Sequence, residues 1–414
     1  MDFTEVLIWT VYMILLYYVV FWLLFLFDKD IIPKKKKMKR FPTVTITVPM
    51  YNEENNIEET IKSVFALDYP KNKLKVYCVD DGSTDNTLKK LKQLNKQYDY
   101  EIITQKNQGK YSALNAALKR TTSEIFVCLD SDSMVNPDAL KHMLPDFTNK
   151  RIAAVMPIMK VYKPGNWMQR FQHLEYMTSI FLKIMMQKKD AIPVAPGPFT
   201  AYKTEIIKKL GYFSKGNHVE DMEMAFRIQS KNYLMRQNLD ALVYTKAPAT
   251  FKGYYRQRLR WYGGTILNCI DYRRMFFRKK FGDFGFIQLP MLLTAGLFTL
   301  MAVGLLYALK VKNLYHQIRY LALTNFDILT LIRKMKLVID PYSFNMLVIF
   351  TSLILVGIAV MLIFLALRLN REKMTRKLFF TTFIFMFVYS SITAFVFLNV
   401  FIKLIFKRLD TWYK

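Results

Sequence analysis

Three short polar runs in this chain follow apolar, β-branched stretches. Tyr51-Asn52-Glu53 follows TVTITVP, Asp80-Asp81-Gly82 follows the run Leu74 to Val79, and Asp130-Ser131-Asp132 follows VCL. A rim of carboxylates repels phosphate unless a divalent cation intervenes. Mg2+ or Mn2+ takes one or two protein carboxylates and completes its shell with substrate phosphates, so D-S-D after a buried strand suits such an ion. Asp130 and Asp132 are therefore candidate ligands for a cation that carries a diphosphate. Asp81 and Glu53 are candidate acceptors for hydrogen bonds from a nucleoside. Any one of these runs has a plainer explanation, because acidic residues after strands cap helices, and Asp85 is expected to do so. Three of them on one rim are harder to dismiss. The stretch 41–150 contains only Gly82 and Gly109, so neither a G-x-G-x-x-G turn nor a phosphate-cradling P-loop is present.

The elements that would position these residues alternate. Strand patterns over Thr43–Pro49, Leu74–Val79, Tyr100–Thr104 and Glu124–Leu129 are separated by helical patterns over Glu53–Leu67, Ser83–Gln97 and Gly109–Arg120. Ser83 or Thr84 is the expected N-cap of the second helix. Strand–helix–strand units with such short connections predict an α/β fold with a parallel sheet covered on both faces. Sheets of this kind bind ligands beyond the carboxyl ends of their strands, which is where all three runs fall.

The chain has 414 residues and a formal net charge of +28, with 52% hydrophobic residues, 33 Phe and 25 Tyr. That excludes a disordered polymer. Three cysteines and four histidines supply neither a disulfide framework nor zinc-ligand spacing. Val6–Phe27, Phe286–Leu309, Phe344–Leu367 and Leu378–Ile402 carry no charged residue. Each exceeds the roughly 20 residues that a helix needs to cross a bilayer. Pro290 and Gly296 leave a tilted or re-entrant path open for the second. Asp2 and Glu5 precede the first, so it reads as an anchor and not a signal peptide. Lys34, Lys35, Lys36, Lys37, Lys39 and Arg40 follow it, which puts the amino terminus outside and the hydrophilic section inside. Four spans would leave Lys407 and Arg408 outside, against the same rule, so one later segment is expected to lie in the interface. The expected organisation is an anchor with its basic run over 1–40, a cytoplasmic domain over 41–284 and a hydrophobic region over 285–414. The basic, aromatic segment Phe251–Phe281 is expected as an interfacial helix.

VPMYNEENNIEETIKSVFALDYP, VDDGSTDNT, NQGKYSALNAAL and CLDSDS occur in succession, followed by HVEDMEMAFR and QRLRW. Over about 41–265 the chain resembles inverting family 2 glycosyltransferases of GT-A fold, specifically the membrane-integrated synthases with a QxxRW motif. That group makes cellulose, chitin, hyaluronan and poly-N-acetylglucosamine, and ceramide glucosyltransferase is related. The resemblance implies a Rossmann-like cytoplasmic domain with transmembrane helices in the plasma membrane and a metal-dependent hexosyl transfer from a UDP-sugar. It implies that Asp81, Glu53 and Tyr51 hold the nucleoside and that Lys110 touches phosphate. Asp130 and Asp132 would bind the diphosphate and Mg2+ or Mn2+. Asp221 would be the general base with Glu220 beside it, and Gln257, Arg260 and Trp261 would close over diphosphate and acceptor. The chain departs from the family at Ala195-Pro-Gly-Pro-Phe199, where polymer synthases often carry a Gly-Ser loop.

A hydroxyl is a poor nucleophile, and one base suffices for a single inverting displacement. Trp261 offers a face for a sugar ring, although with Tyr254, Tyr255 and Tyr262 it also reads as an aromatic belt at a membrane interface. His142, His173, His218 and His316 read as structural, with His218 the one to test, and Asp240 and Asp271 read as surface residues. Two products fit: a β-linked polysaccharide passed outward, or a membrane glycolipid. Four spans are few for a polymer channel, which favours the lipid product or accessory subunits or self-association. A basic nucleic-acid binder would explain the charge but not the acidic motifs, so nucleic acid is not an expected partner.

Overall fold

The computed structural model describes residues 3–26, 38, 40–215, 219–323 and 346–406, and begins with an apolar helix, α1 (Phe3–Leu26). Most of the basic run after it lies outside the described residues, as do Phe27, Phe344 and Asn345, His218, Lys407 and Arg408. Arg40 is described, and its guanidinium is bonded to the Glu124 carboxylate.

β1 (Val44–Met50) is buried along its whole length. α2 (Ile57–Phe65), β2 (Leu74–Asp80), α3 (Thr87–Leu94), β3 (Glu101–Thr104), α4 (Lys110–Arg120) and β4 (Ile125–Cys128) complete the first, alternating half. A near-continuous apolar strand such as β1 is what a sheet covered on both faces requires. β1 pairs in parallel with β2 on one side and β4 on the other, and β2 pairs in parallel with β3. Met50 lies opposite Asp80, and Asp80 opposite Thr104, so the carboxyl ends of these strands finish level.

The second half adds β5 (Ser133–Val135), α5 (Ala139–Met143), β6 (Ile152–Val161), α6 (Trp167–Lys188), β7 (Thr200–Lys203), α7 (Thr204–Lys209), α8 (Glu220–Ser230) and β8 (Leu234–Thr245). Eight strands form one sheet in the order β3-β2-β1-β4-β7-β6-β8-β5. The strands of the first half pair in parallel as expected, and the second half makes the whole sheet mixed, because β7 runs antiparallel between β4 and β6. The strand order reverses between β1 and β4, the topological switch point at which open α/β sheets bind ligands. Two apolar layers cover the faces, one around Ile46, Val48, Ile57, Ile61 and Leu140, the other around Val79, Leu114, Phe126, Met156 and Tyr202.

One cap differs from expectation. α3 starts at Thr87 behind Asn86, not at Ser83 or Thr84. Those two residues are taken by the neighbouring loop: the Asn52 N–H donates to the Ser83 hydroxyl (3.0 Å), and Thr84 N–H donates to Asn52 Oδ1 (2.8 Å). Asp85 does cap, accepting from the Thr87 N–H at 2.9 Å.

α9 (Phe251–Asp271) is capped by Thr250, whose hydroxyl accepts from the Gly253 N–H. The helix stops at Asp271 and gives way to two 3-10 turns, so the expected interfacial helix does not reach Phe281. Its buried face, including Tyr254, Arg258, Gly263 and Gly264, packs on α8 and on the carboxy-terminal helices. Those are α10 (Leu289–Leu323), α11 (Met346–Leu369), α12 (Arg376–Ile384) and α13 (Ser390–Ile405), the last two joined by a π-helical turn, Phe385–Tyr389. Among the described residues, Phe284–Leu323 and Arg376–Ile405 are long and apolar enough to cross a membrane; Tyr12–Phe21 and Leu353–Leu369 are shorter apolar runs. Phe379, Phe380, Phe383 and Phe387 are exposed. Asp240, read from sequence as a surface residue, is mostly covered and accepts a hydrogen bond from Arg371 at 2.8 Å, while Asp271 is exposed.

Candidate active site

Beyond the carboxyl ends of β1, β2 and β4 the three polar loops meet. The Asp81 N–H donates to the Met50 carbonyl at 2.9 Å, so the loop after β2 is fixed to the end of β1. Asp81 is buried, and its carboxylate accepts from Gln105 Nε2 (2.6 Å) and from the N–H groups of Gln108 (3.1 Å) and Gly109 (2.8 Å). It thereby shapes the loop that delivers Lys110 to the amino terminus of α4. Gly82 has φ +77°, and a Cβ there would meet the Asn107 nitrogen at 2.8 Å, so this close loop crossing requires glycine. Tyr51 stands exposed on the rim. Glu53 accepts from Asn56 Nδ2 at 2.7 Å, and burial pushes its carboxyl up, with the Asp130 and Asp85 charges adding to the effect.

Lys110 is the centre of the arrangement. Its ammonium lies 2.7 Å from Asp130 Oδ1 and 2.8 Å from Glu220 Oε1, joining the D-S-D loop to the first turn of α8. Burial alone would lower the Lys110 pKa, but Asp130 and Glu220 outweigh it and hold the group well above the usual lysine value. Burial opposes ionisation of Glu220, yet Lys110 and then Arg260 keep its carboxyl below the ordinary range. Its neighbour behaves oppositely. Asp221 is pushed up to about 6, first by burial and then by the Glu220 charge. Its Oδ1 accepts from the Met222 N–H (2.7 Å) and its Oδ2 from the Gly197 N–H (3.2 Å). Two adjacent carboxyl groups with pKa values driven apart are the environment in which one of them serves as a base near neutral pH.

Asp132 is also pushed up to about 6, by burial first and by Asp130 second, although it accepts from the Ser133 hydroxyl at 2.9 Å. No group of three or more His, Cys, Asp or Glu among the described residues is arranged to hold a metal by itself. Asp130 and Asp132 nonetheless form a hard-oxygen pair with crowded charge, the donor set that suits Mg2+ or Mn2+ completed by phosphate oxygens.

Gln257, Arg260 and Trp261 follow one another on α9. The Arg260 charge acts on both Glu220 and Asp221. Trp261 has one face occupied, because the Arg258 guanidinium lies 4.1 Å from its ring centroid. Thr265 on the next turn donates to the Met222 sulfur at 3.4 Å, pinning α9 to α8.

Several site residues had no sequence signal of their own. Gly197, in the Ala195–Phe199 loop, abuts the lysine clamp: a Cβ there would lie 2.5 Å from Lys110 Nζ and 2.7 Å from Asp130 Oδ1. From sequence this loop stood out only as a departure from the family pattern, with no role for Gly197 itself. Phe199 closes the same loop fully buried at φ +61°, a strained setting for a bulky side chain. Lys183 on α6 is buried near Asp221, which partly offsets the burial that pushes its ammonium down to about 8. His173 lies 3.6 Å from Glu372 and His142 3.0 Å from Asp138, both away from the acidic cluster. A cavity of about 810 Å³ opens at the opposite end of β1 and β4, lined by Arg40, Thr121, Glu124 and Lys208, and shares none of these residues.

Residues 45–211 match the model of glycosyl transferase family 2. The chain is 28% identical to the poly-beta-1,6-N-acetyl-D-glucosamine synthase of Staphylococcus epidermidis over 233 residues, 56% of each protein. It is also 28% identical to the enzyme of the same name from Staphylococcus aureus (strain MSSA476) over 224 residues, 53% of this chain and 54% of that one. The matched region thus spans about half the length of these curated relatives. In fold, the chain is similar to the mannosyltransferase PcManGT from Pyrobaculum calidifontis, solved in complex with GDP-Man and Mn2+, with a TM-score of 0.63 and 22% identity. That likeness covers 86% of this chain and 96% of the other, so it includes helices beyond the sheet domain.

Proposed function

We propose that this chain, which carries a family 2 glycosyl transferase domain of GT-A fold and is related to poly-β-1,6-N-acetyl-D-glucosamine synthases, transfers N-acetylglucosamine from UDP-N-acetylglucosamine to a growing β-linked polymer at the cytoplasmic face of a membrane. The observation that supports the reading is the Lys110 clamp, which joins the D-S-D loop to the acidic pair of α8, with the Arg260 charge acting on that pair. In this reading 1–40 anchors the chain, 41–284 does the chemistry and 285–414 holds it in the bilayer. The exposed Phe side chains of Arg376–Ile405 and the length of Phe284–Leu323 support that division.

Tyr51, Glu53 and Asp81 bind the nucleoside at the switch point between β1 and β4. Asp130 and Asp132 would hold Mg2+ or Mn2+, which would supply charge neutralisation for the departing diphosphate. Arg260 stabilises the same developing charge electrostatically. Asp221 takes the proton of the acceptor hydroxyl as that oxygen attacks the anomeric carbon. The attack displaces UDP in one step, so an α-linked donor yields a β-linkage. Glu220, kept ionised by Lys110, raises the basicity of Asp221 by its charge and does not itself touch the acceptor. Trp261 contributes apolar ring surface for the acceptor sugar.

The test is to incubate the full-length chain in detergent or lipid with UDP-N-acetylglucosamine, other UDP-sugars and GDP-mannose, and to size the product. A ladder or high polymer from the N-acetylglucosamine donor is expected, abolished by EDTA and restored by Mn2+ or Mg2+. Metal-independent turnover would remove Asp130 and Asp132 from the ligand role. A single organic-soluble product would establish the second reading, a membrane glycolipid. The four uncharged stretches of the sequence are few for a polymer channel, which favours that alternative or an accessory subunit.

Gly197→Ala tests the cleft itself. The added methyl group would overlap Lys110 and Asp130, neither of which can retreat without breaking the clamp. Transfer is expected to fall by at least about tenfold, roughly 1.4 kcal/mol in the barrier, and the thermal midpoint to fall as the clamp opens. Wild-type turnover in this variant would show that the clamp does not matter to catalysis.

A further inference from the structure

Arg258 is the fully buried residue inside the QRLRW run, and its surroundings are built from three separate parts of the chain. Its Nε donates to Glu175 Oε1 on α6 at 3.2 Å, and its Nη2 is bonded to Glu175 Oε2. Its Nη1 donates to Gln257 Oε1 at 2.5 Å. The guanidinium lies between two rings, 4.1 Å from the Trp261 centroid and 4.8 Å from that of Tyr254. The third part is the apolar segment Arg376–Ile405. Tyr389, last residue of its π-helical turn, donates its hydroxyl to Glu175 Oε2 at 2.7 Å and accepts from the Tyr254 hydroxyl at 3.0 Å. Single π turns inside α-helices re-aim side chains, often at functional sites.

This geometry decides how Gln257 points. A guanidinium has donors only, so Gln257 must turn its carbonyl oxygen toward Arg258 and its amide NH2 away. That NH2 makes no hydrogen bond among the described residues, which leaves it as a donor for an incoming hydroxyl or phosphate oxygen. Trp261 is fixed by the same group, since Arg258 covers one face and the Tyr176 ring lies beside it with centroids 6.5 Å apart. A fork held by a bidentate carboxylate has one orientation, and each of its neighbours inherits it.

We propose that Glu175 and Tyr389 are positioning residues, which act through Arg258 on Gln257 and Trp261 and make acceptor use depend on how the helix Arg376–Ile405 is seated against the domain. The inference rests on the reading of Gln257 and Trp261 as acceptor-side groups. The hydroxyl of Tyr389 is the only polar contact that this apolar helix makes with the Arg258 fork among the described residues, so a shift of the helix removes one of the bonds that orient Glu175.

Tyr389→Phe removes that hydroxyl and keeps the ring, and Glu175→Gln removes the charge and keeps the shape. Both are tested in the full-length chain in lipid nanodiscs with UDP-N-acetylglucosamine, measuring UDP released and sugar incorporated into lipid-extractable and polymeric product together. Each variant is expected to lower the sugar incorporated per UDP released by about three- to tenfold, as water replaces a badly seated acceptor, while donor KM stays within about twofold. The double variant is expected to match the worse single one, because the two act in one chain of contacts. An unchanged ratio, or donor KM and incorporation that worsen together in step with lost folded protein, would overturn the proposal. A wild-type chain that releases UDP from no donor would instead overturn the catalytic reading beneath it, and the two failures are told apart by the wild-type control.

Discussion

Asp221→Asn is expected to abolish sugar transfer, by a factor on the order of 10² to 10⁴, while UDP affinity stays nearly unchanged. The amide keeps the shape of the carboxylate, but its single oxygen replaces two acceptors, so it keeps the bond from the Met222 N–H and gives up the longer one from the Gly197 N–H. What disappears is the proton acceptor. The Asp221 pKa of about 6 also sets the acid limb of the wild-type rate, which should fall tenfold per pH unit below that value and be absent in the variant's residual activity. The sign for stability runs the other way. A carboxyl raised from 3.8 to about 6 on folding disfavours the folded state wherever it is ionised, so above about pH 6 the substitution relieves a strain on the order of 3 kcal/mol. A variant that is inactive, binds UDP by calorimetry and melts no lower than wild type at pH 8 meets the expectation. Loss of UDP binding, or a marked drop in melting temperature, would show that Asp221 holds the structure or the donor and is not the base.

The features readable in the sequence are those that depend on local pattern. The apolar strand ending at Met50 and the alternation through Arg120 gave the parallel half of the sheet, and with it the common rim of Asn52, Asp81 and Asp130. β7 was not readable as an antiparallel insertion, because four residues between β4 and β6 carry no periodicity that states their direction. Ser83 was misread as a cap because its competitor, Asn52, lies 31 residues away and wins the hydroxyl through tertiary contact. The same limit hid the clamp. Lys110, Asp130 and Glu220 were each singled out from sequence, but nothing local says that one ammonium is shared by two carboxylates, or that Gly197 must lack a side chain for it to fit. Arg258 was not singled out from sequence, since burial of a charge on an amphipathic helix depends on partners that lie 83 and 131 residues away: Glu175 directly, and Tyr389 through it.

The clamp leads to the second large effect. Lys110→Met keeps the length of the side chain and removes its charge, leaving Asp130, Glu220 and Asp221 facing one another with only the more remote charges of Arg260 and Lys183 to offset them among the described residues. Breaking a buried ion pair on one side costs about 3–5 kcal/mol. With 30% of the Lys110 side chain still exposed the lower end applies, about 3 kcal/mol, or a fall of several degrees in melting temperature for a domain of this size. The pH dependence identifies the cause. In the wild type Glu220 is held below its ordinary range, so it contributes stability above the unfolded pKa that is lost as pH falls. Without Lys110, burial becomes its leading influence and raises it. The deficit of the variant should then be greatest near pH 8 and shrink toward about pH 5 as the orphaned carboxyl takes up a proton. A deficit that does not change with pH would mean that the lysine packs and does not neutralise. Lys110→Arg is expected not to rescue transfer despite its charge, because the guanidinium is broader than the ammonium and Gly197 already stands within contact of Nζ.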